Sequence, residues 1–247
     1  MLTSDEKQRY SRQMILPEIG EAGQEKLRTA SVLVAGLGGL GSISAHYLAA
    51  AGIGRLRLVD SDTVALENLN RQILHHTGDQ GRAKTESARE KLSALNPGCR
   101  IETVDTRIAA DNAAHLAAGC DLIVDATDNA ATRAVLNRTA HALGIPFVFG
   151  GVTGLEGMVT TIVPGRSPCL ECVFPNLVEI QTPGPVPALG PVVGIVASIQ
   201  SLEVVKWVVG LEADLLAGKL LSIQSRTLRF RTVSLDRNPS CPVCGAR

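Results

Sequence analysis

Aromatic residues are scarce. The 247-residue chain has one Trp, two Tyr and four Phe, 3% in all, so any core must be aliphatic. Hydrophobic residues still make up 45%, enough for a chain of this size to bury a core without staples. Net charge is also missing: 24 Lys and Arg balance 24 Asp and Glu. That argues against nucleic acid as the main partner, because phosphate neutralisation needs clustered cations. The opening residues, MLTSDEK, lack the apolar core of a signal peptide. The longest apolar run, near 190–197, falls far below the roughly 18 residues of a membrane span. Both absences point to a cytoplasmic protein, where paired cysteines more often bind metal than each other. Histidine is sparse: His46, His75, His76, His115 and His141 fall in no zinc or triad spacing and read as surface or packing residues. There is no repeat, no low-complexity tract and no clean linker, so residues 1–247 read as a single domain.

What is present alternates. Residues 31–36 (SVLVAG) read as a buried parallel strand and 39–51 as a helix of small residues. Strands follow at 55–60, 100–104, 121–125 and 146–149, with helices at 81–95, 111–118 (capped by Asp111) and 129–143 between them. This order predicts an α/β fold with a doubly wound, mostly parallel, Rossmann-like sheet. After Gly151 the pattern changes. A strand at 157–163 precedes a long proline-rich loop at 173–189, of the length that usually carries function. A helix at 194–209 and an antiparallel pair of strands at 219–235 complete an antiparallel C-terminal extension. The nucleotide-binding part thus spans about 28–150, and a second part about 151–247.

Gly36, Gly38 and Gly41, with Gly39 between them, fit G-x-G-x-x-G between a strand and a helix. Such a turn lets backbone N–H groups approach phosphate oxygens at a helix N-terminus. Asp60 ends the next strand, where a carboxylate meets ribose hydroxyls. A tight turn without a ligand is the plain alternative, and the turn alone does not separate NAD from ATP. The following segment tips the balance. Arg71 lies in Asn68-Leu69-Asn70-Arg71-Gln72, Lys84 opens a helix, and Asp128 sits in Asp125-Ala126-Thr127-Asp128-Asn129. Two cations and a carboxylate at strand C-termini suit a triphosphate with Mg²⁺ better than a bridging pyrophosphate. Singly, Arg71 or Lys84 reads as a solvated charge, and Asp128 as a helix N-cap. Asp128 can also be both cap and ligand.

Cys169/Cys172 and Cys241/Cys244 form two Cys-x-x-Cys knuckles. Four thiolates match a closed, structural Zn²⁺ site that ties the C-terminus to the start of the proline-rich loop. A redox pair or free core cysteines are the alternatives. Cys99 and Cys120 lie beside strands and pack.

The chain resembles the MoeB/ThiF/HesA family, relatives of ubiquitin-activating enzymes. The resemblance runs through Arg9-Tyr10-Ser11-Arg12-Gln13, the GLGGLG turn, Asp60, NLNRQ, Gly81-x-x-Lys84, DATDN, Gly190-Pro191-Val192-Val193-Gly194 and both knuckles. It implies an ATP-dependent adenylyltransferase acting on the C-terminal Gly-Gly tail of a small ubiquitin-like sulfur-carrier protein. The products would be an acyl-adenylate and pyrophosphate, ahead of thiocarboxylate formation. By resemblance Asp60 binds ribose, while Asn68, Arg71 and Lys84 hold phosphates. Gln72 and Asn129 lie in the same nucleotide-binding motifs. Asp128 coordinates Mg²⁺, and Arg12 reaches across a homodimer interface. Many relatives carry a cysteine in the proline-rich loop that links covalently to the carrier; this loop has none. Adenylation without an enzyme-bound acyl-cysteine is therefore expected, with a separate sulfur donor. An NAD-dependent oxidoreductase fits the turn and Asp60, but not Arg71, Lys84 and the knuckles. A nucleotide-bound scaffold without catalysis, or a tRNA-base dehydratase of the same superfamily, fits less of the set.

Overall fold

A computed structural model describes residues 1–180, 184 and 186–245. Three short helices open the chain, α1 (Ser4–Arg9), α2 (Ser11–Met14) and α3 (Gly20–Thr29). Alternation follows: β1 (Ser31–Ala35), α4 (Gly39–Ala51), β2 (Arg55–Asp60), α5 (Lys84–Leu95), β3 (Arg100–Asp105), α6 (Ala113–Ala117), β4 (Leu122–Asp125), α7 (Ala130–Leu143) and β5 (Phe147–Thr153). The second part holds β6 (Glu156–Ile162), α8 (Leu170–Val173), α9 (Leu177–Ile180), α10 (Gly190–Val209), β7 (Lys219–Gln224) and β8 (Arg229–Ser234). All eight strands form one sheet in the order β3-β2-β1-β4-β5-β6-β7-β8. Pairings are parallel from β3 to β5 and antiparallel from β5 to β8. The expected α/β class with an antiparallel extension is what the chain forms.

β1 is buried along its whole length, as a central parallel strand should be. Its side chains alternate between two cores. Val32 and Val34 face the core shared with α3, α4, α5 and α10, while Leu33 and Ala35 face the core shared with α6, α7 and the thiols. Gly52 ends α4 in the left-handed region, at φ 91°.

Several boundaries differ from expectation, each for a local reason. The helix expected from residue 81 starts at Lys84, because Gly81 has φ +82° and Ala83 bridges to Thr63. Asp111 does not cap α6; the helix begins at Ala113, and the preceding Asn112 instead accepts from the Ala109 N–H at 2.9 Å. Asn129, not Asp128, caps α7 by accepting from the Thr132 N–H at 2.8 Å. The proline-rich stretch 173–189 contains the end of α8 and all of α9; its residues 181–183 and 185 lie outside the described set. α10 begins at Gly190 rather than 194, with Pro191 in its first turn, where a missing N–H costs nothing. It therefore runs 20 residues at mean hydropathy 1.7, long and apolar enough by composition to cross a membrane. Within the molecule it packs on α4, β5 and β6, with half of that window buried.

Candidate nucleotide site and thiol cluster

β1 and β4 are the neighbours between which strand order reverses, and ligands of open α/β sheets sit at the C-terminal ends of such strands. The glycine turn lies there. Gly36 has φ +92°, and a Cβ on it would meet the Ala126 carbonyl oxygen at 2.7 Å. A Cβ on Gly41 would lie 1.9 Å from the Gly36 carbonyl oxygen. These two glycines are demanded by the chain's own packing. Gly38 is different: a Cβ there would meet only Gln72 Nε2, at 3.7 Å. Its bareness leaves space over the N-terminus of α4, where backbone N–H groups are unspent. Gln72 borders that space. It is buried, and its Oε1 has no hydrogen-bond partner.

The acids and cations gather around this turn. Asp60 is almost fully buried; its Oδ2 accepts from the Leu37 N–H at 2.6 Å and its Oδ1 from the Asp62 N–H at 2.8 Å. A carboxylate has about four lone-pair sites, so capacity for a ligand hydroxyl remains. Lys84, at the start of α5, is buried between two acids, 2.8 Å from Asp62 Oδ2 and 4.0 Å from Asp60 Oδ1. Asp62 was not among the expected site residues, although the D-S-D pattern at the end of β2 signalled it. Arg71 donates to the Glu67 carbonyl at 2.9 Å and to Asn70 Oδ1 at 3.0 Å, and its Cγ lies 3.6 Å from where a Gly39 Cβ would stand. Asn68 spends its side-chain oxygen on the Ala65 N–H, at 3.1 Å. The start of α10 presses on the same loop, since a Gly190 Cβ would sit 2.7 Å from the Asn70 carbonyl oxygen.

The DATDN segment approaches from β4, whose Asp125 pairs in register with Ala35. Asp125 is fully buried, and burial pushes its carboxyl pKa up against the opposing pull of Arg133. Its Oδ1 accepts from the Thr127 N–H and Oγ1–H, at 3.0 and 2.7 Å. Its Oδ2 faces Arg133 Nε across 3.3 Å, without the alignment of a hydrogen bond. Arg133 also donates to the Thr127 carbonyl at 2.7 Å and stacks over Phe149, 5.0 Å from the ring centre. This buried pair holds the backbone that presents Asp128, which is exposed. Asn129 is engaged as the helix cap. Arg133 was missed in sequence; a basic residue one turn into a helix that follows a buried acid was the available signal.

Arg12 is not drawn into this cluster. It is exposed on α2, between two anchored neighbours. Tyr10 is buried, and its hydroxyl accepts from Asn96 Nδ2 at 2.8 Å. Gln13 donates to the Ala51 carbonyl at 2.8 Å. Among the described residues no hydrogen bond or ion pair reaches Arg12. Exposed Ile15 and Leu16 follow it.

On the other face of the sheet the two knuckles meet. Cys169 and Cys241 have sulfurs 3.6 Å apart, Cys172 and Cys244 3.4 Å apart, and all four lie within 4.8 Å of one another. A tetrahedral Zn–S₄ site has sulfurs about 3.8 Å apart, so this cluster can hold such a metal. Burial raises the Cys169 thiol. At Cys241 burial acts the same way, but N–H groups of Cys244 and Val243 and the neighbouring thiols outweigh it, bringing the thiol down to about 7. Cys99 and Cys120 are buried elsewhere, as expected.

These features define a doubly wound α/β domain with a glycine-rich turn at its switch point and a four-thiol cluster behind its antiparallel extension. The chain belongs to the ThiF family, whose model matches residues 10–243. It is 41% identical over 254 residues to the sulfur carrier protein adenylyltransferase of Thermus thermophilus, covering 98% of this chain and 92% of that protein. Adenylyltransferase and sulfurtransferase MOCS3 of Drosophila sechellia is 41% identical over 250 residues, which take in all of this chain but 55% of the fly protein. The chain thus spans about half the length of that relative. Among solved structures, E. coli MccB with ATP superposes with a TM-score of 0.88 at 25% identity, covering 98% of this chain and 75% of that one.

Proposed function

We propose that this protein is an ATP-dependent adenylyltransferase that activates the C-terminal Gly-Gly carboxylate of a small ubiquitin-like sulfur-carrier protein. The observation that carries the reading is the space at Gly38, at the head of α4 and bordered by buried Gln72, with Asp60 bonded to the same turn and paired with buried Lys84. The relatives' names support the substrate class, and the continuous sheet supports treating 1–247 as one unit.

A C-terminal carboxyl has a pKa around 3.5, so the attacking group is already an anion at neutral pH and needs no base. Its oxygen would form a bond to the α-phosphorus of ATP while the bond to pyrophosphate breaks. What the site must supply is positioning and neutralisation of charge. The turn amides, Arg71 and Lys84 would meet phosphate oxygens, Lys84 exchanging its exposed partner Asp62 for them. Asp60 would accept from ribose hydroxyls. Exposed Asp128 suits Mg²⁺, which takes one or two carboxylates along with phosphate oxygens and would neutralise their charge. The four thiolates would hold a structural Zn²⁺. With four of the six cysteines in that cluster and two buried beside strands, activation would proceed without an acyl-cysteine. A sulfur donor would then displace AMP. Arg12 and its apolar neighbours would act across a homodimer. Thiolate–metal binding agrees with a cytoplasmic setting.

Carrier-dependent exchange between ATP and labelled pyrophosphate tests this. Exchange that appears only with a cognate carrier is the expected result. No exchange with any of a broad carrier panel, together with tight NAD binding, would sink the reading.

A further inference from the structure

His75 is buried directly behind the glycine turn. Its Nε2 lies 3.1 Å from the Leu37 carbonyl oxygen and its Nδ1 lies 2.8 Å from Ser87 Oγ. Burial lowers its pKa, and nearby Lys84 and Lys91 push the same way, against the Leu37 contact and Asp79. The ring is therefore neutral near pH 7. A carbonyl only accepts, so the proton must sit on Nε2 and Nδ1 must accept from the Ser87 hydroxyl. The Ser87 oxygen in turn accepts from Lys91 Nζ at 2.8 Å. Lys91 is held by buried Asp79, at 2.6 Å from Oδ2, and Arg82 braces the other oxygen of Asp79 at 3.0 Å. Ser87 also lies beside Asp79, but Asp79 already accepts from Lys91 and the His76 N–H and pairs with Arg82. The hydroxyl proton therefore goes to Nδ1, and every donor points the same way, from Lys91 through Ser87 and His75 to Leu37.

The Leu37 carbonyl belongs to the peptide that carries the Gly38 N–H. That peptide is trans, so the two groups point in opposite directions. With the carbonyl drawn toward His75, the Gly38 N–H faces away, toward the open space at Gly38. Among the described residues no acceptor is found for it. The peptide before Leu37 is fixed as well, by Asp60 Oδ2 on the Leu37 N–H.

We propose that His75 is a positioning residue of the nucleotide site: by holding the Leu37 carbonyl through a one-directional hydrogen-bond chain anchored at Asp79, it aims the Gly38 N–H at a phosphate oxygen. The inference rests on the ATP reading above. His75 touches no substrate; it acts by removing the turn's freedom to rotate that peptide.

Direct ATP binding with Mg²⁺ and no carrier, measured by calorimetry, separates the possibilities. His75→Leu should bind ATP about tenfold more weakly while keeping its fold, the loss expected for one backbone donor no longer aimed. His75→Gln keeps an N–H donor at a similar reach and should stay within about threefold of the parent. Ser87→Ala removes the hydroxyl that selects the tautomer and should fall between. In turnover, KM for ATP should rise in His75→Leu while KM for the carrier stays. A folded His75→Leu with unchanged ATP affinity overturns the proposal, as does His75→Gln binding as weakly as His75→Leu. Should His75→Leu not fold, unchanged affinity in Ser87→Ala overturns it, and weakened affinity there with near-parental His75→Gln supports it. A parent protein that binds no ATP overturns the adenylyltransferase reading and this inference together.

Discussion

Lys84 illustrates how a residue's neighbours decide its use. An isolated buried ammonium would be costly, and this one is balanced by Asp62 at 2.8 Å and Asp60 at 4.0 Å. The Asp62 carboxylate is exposed, whereas Asp60 is tied to the turn, so under the proposed ATP reading an incoming phosphate would replace the former and not the latter. Replacing Lys84 with Met keeps most of the buried volume and removes the charge. Exchange should fall by about 10²–10³, the scale of losing one donor to a developing anion. Asp128→Ala should abolish exchange while the far-UV dichroism and melting temperature stay near the parent's, because the side chain is exposed and Asn129 caps α7. Near-normal exchange in a folded Asp128→Ala chain would remove Asp128 from the site.

At the scale of elements, two local ties add to the sheet pairing and to the packing of α10 on α4 that join the antiparallel extension to the rest. α10 clamps the NLNRQ loop through Gly190, and the thiol cluster joins α8 to the C-terminal knuckle beyond β8. Metal binding at such a cluster is itself folding energy, since no formed site exists in the unfolded chain. Metal analysis should find about one zinc per chain, and stripping it with a chelator should lower the melting temperature and expose Cys241 to thiol reagents. A metal-free protein that melts at the same temperature would count against the cluster as a zinc site. Glycine bears a different meaning along one short turn: Gly36 and Gly41 answer to packing, whereas at Gly38 packing would leave room for a side chain.

At the scale of the whole molecule, the site within one chain has its turn, cations and carboxylates but not Arg12. The exposed Ile15 and Leu16 beside it are the apolar surface an isologous contact would cover. Mixing Arg12→Ala chains with Asp128→Ala chains should restore part of the exchange activity, because one hybrid site would then be intact. A confirmed heterodimer without recovery would show that Arg12 does not act in trans. β8 is exposed along its length and forms one edge of the sheet, with Arg229 and Arg231 on it, the charged guard typical of an unpaired edge.

Strand–helix alternation, the turn's position and the two knuckles were legible in sequence because each rests on local chemistry: hydrophobic period, glycine spacing, paired thiols. Asp60, Arg71, Lys84 and Asp128 stood out by their places at strand ends and helix starts, and the family resemblance gave them roles and added Asn68 and Arg12. Boundaries that depend on competing local bonds were misplaced, as at Lys84, where Gly81 and a bridge at Ala83 delay the helix, and at Asn129, which caps in place of Asp128. His75, Asp62 and Arg133 escaped because their partners are distant in the chain or ordinary by residue type. A histidine without a metal or triad spacing looks like filler until its ring is found against Leu37. The amino-acid sequence alone thus determined the architecture and the kinds of group available. Only the tertiary structure decided which of those groups meet, because packing across the sheet, and not spacing along the chain, brings His75 under the turn, Arg133 onto Asp125 and four sulfurs within one metal's reach.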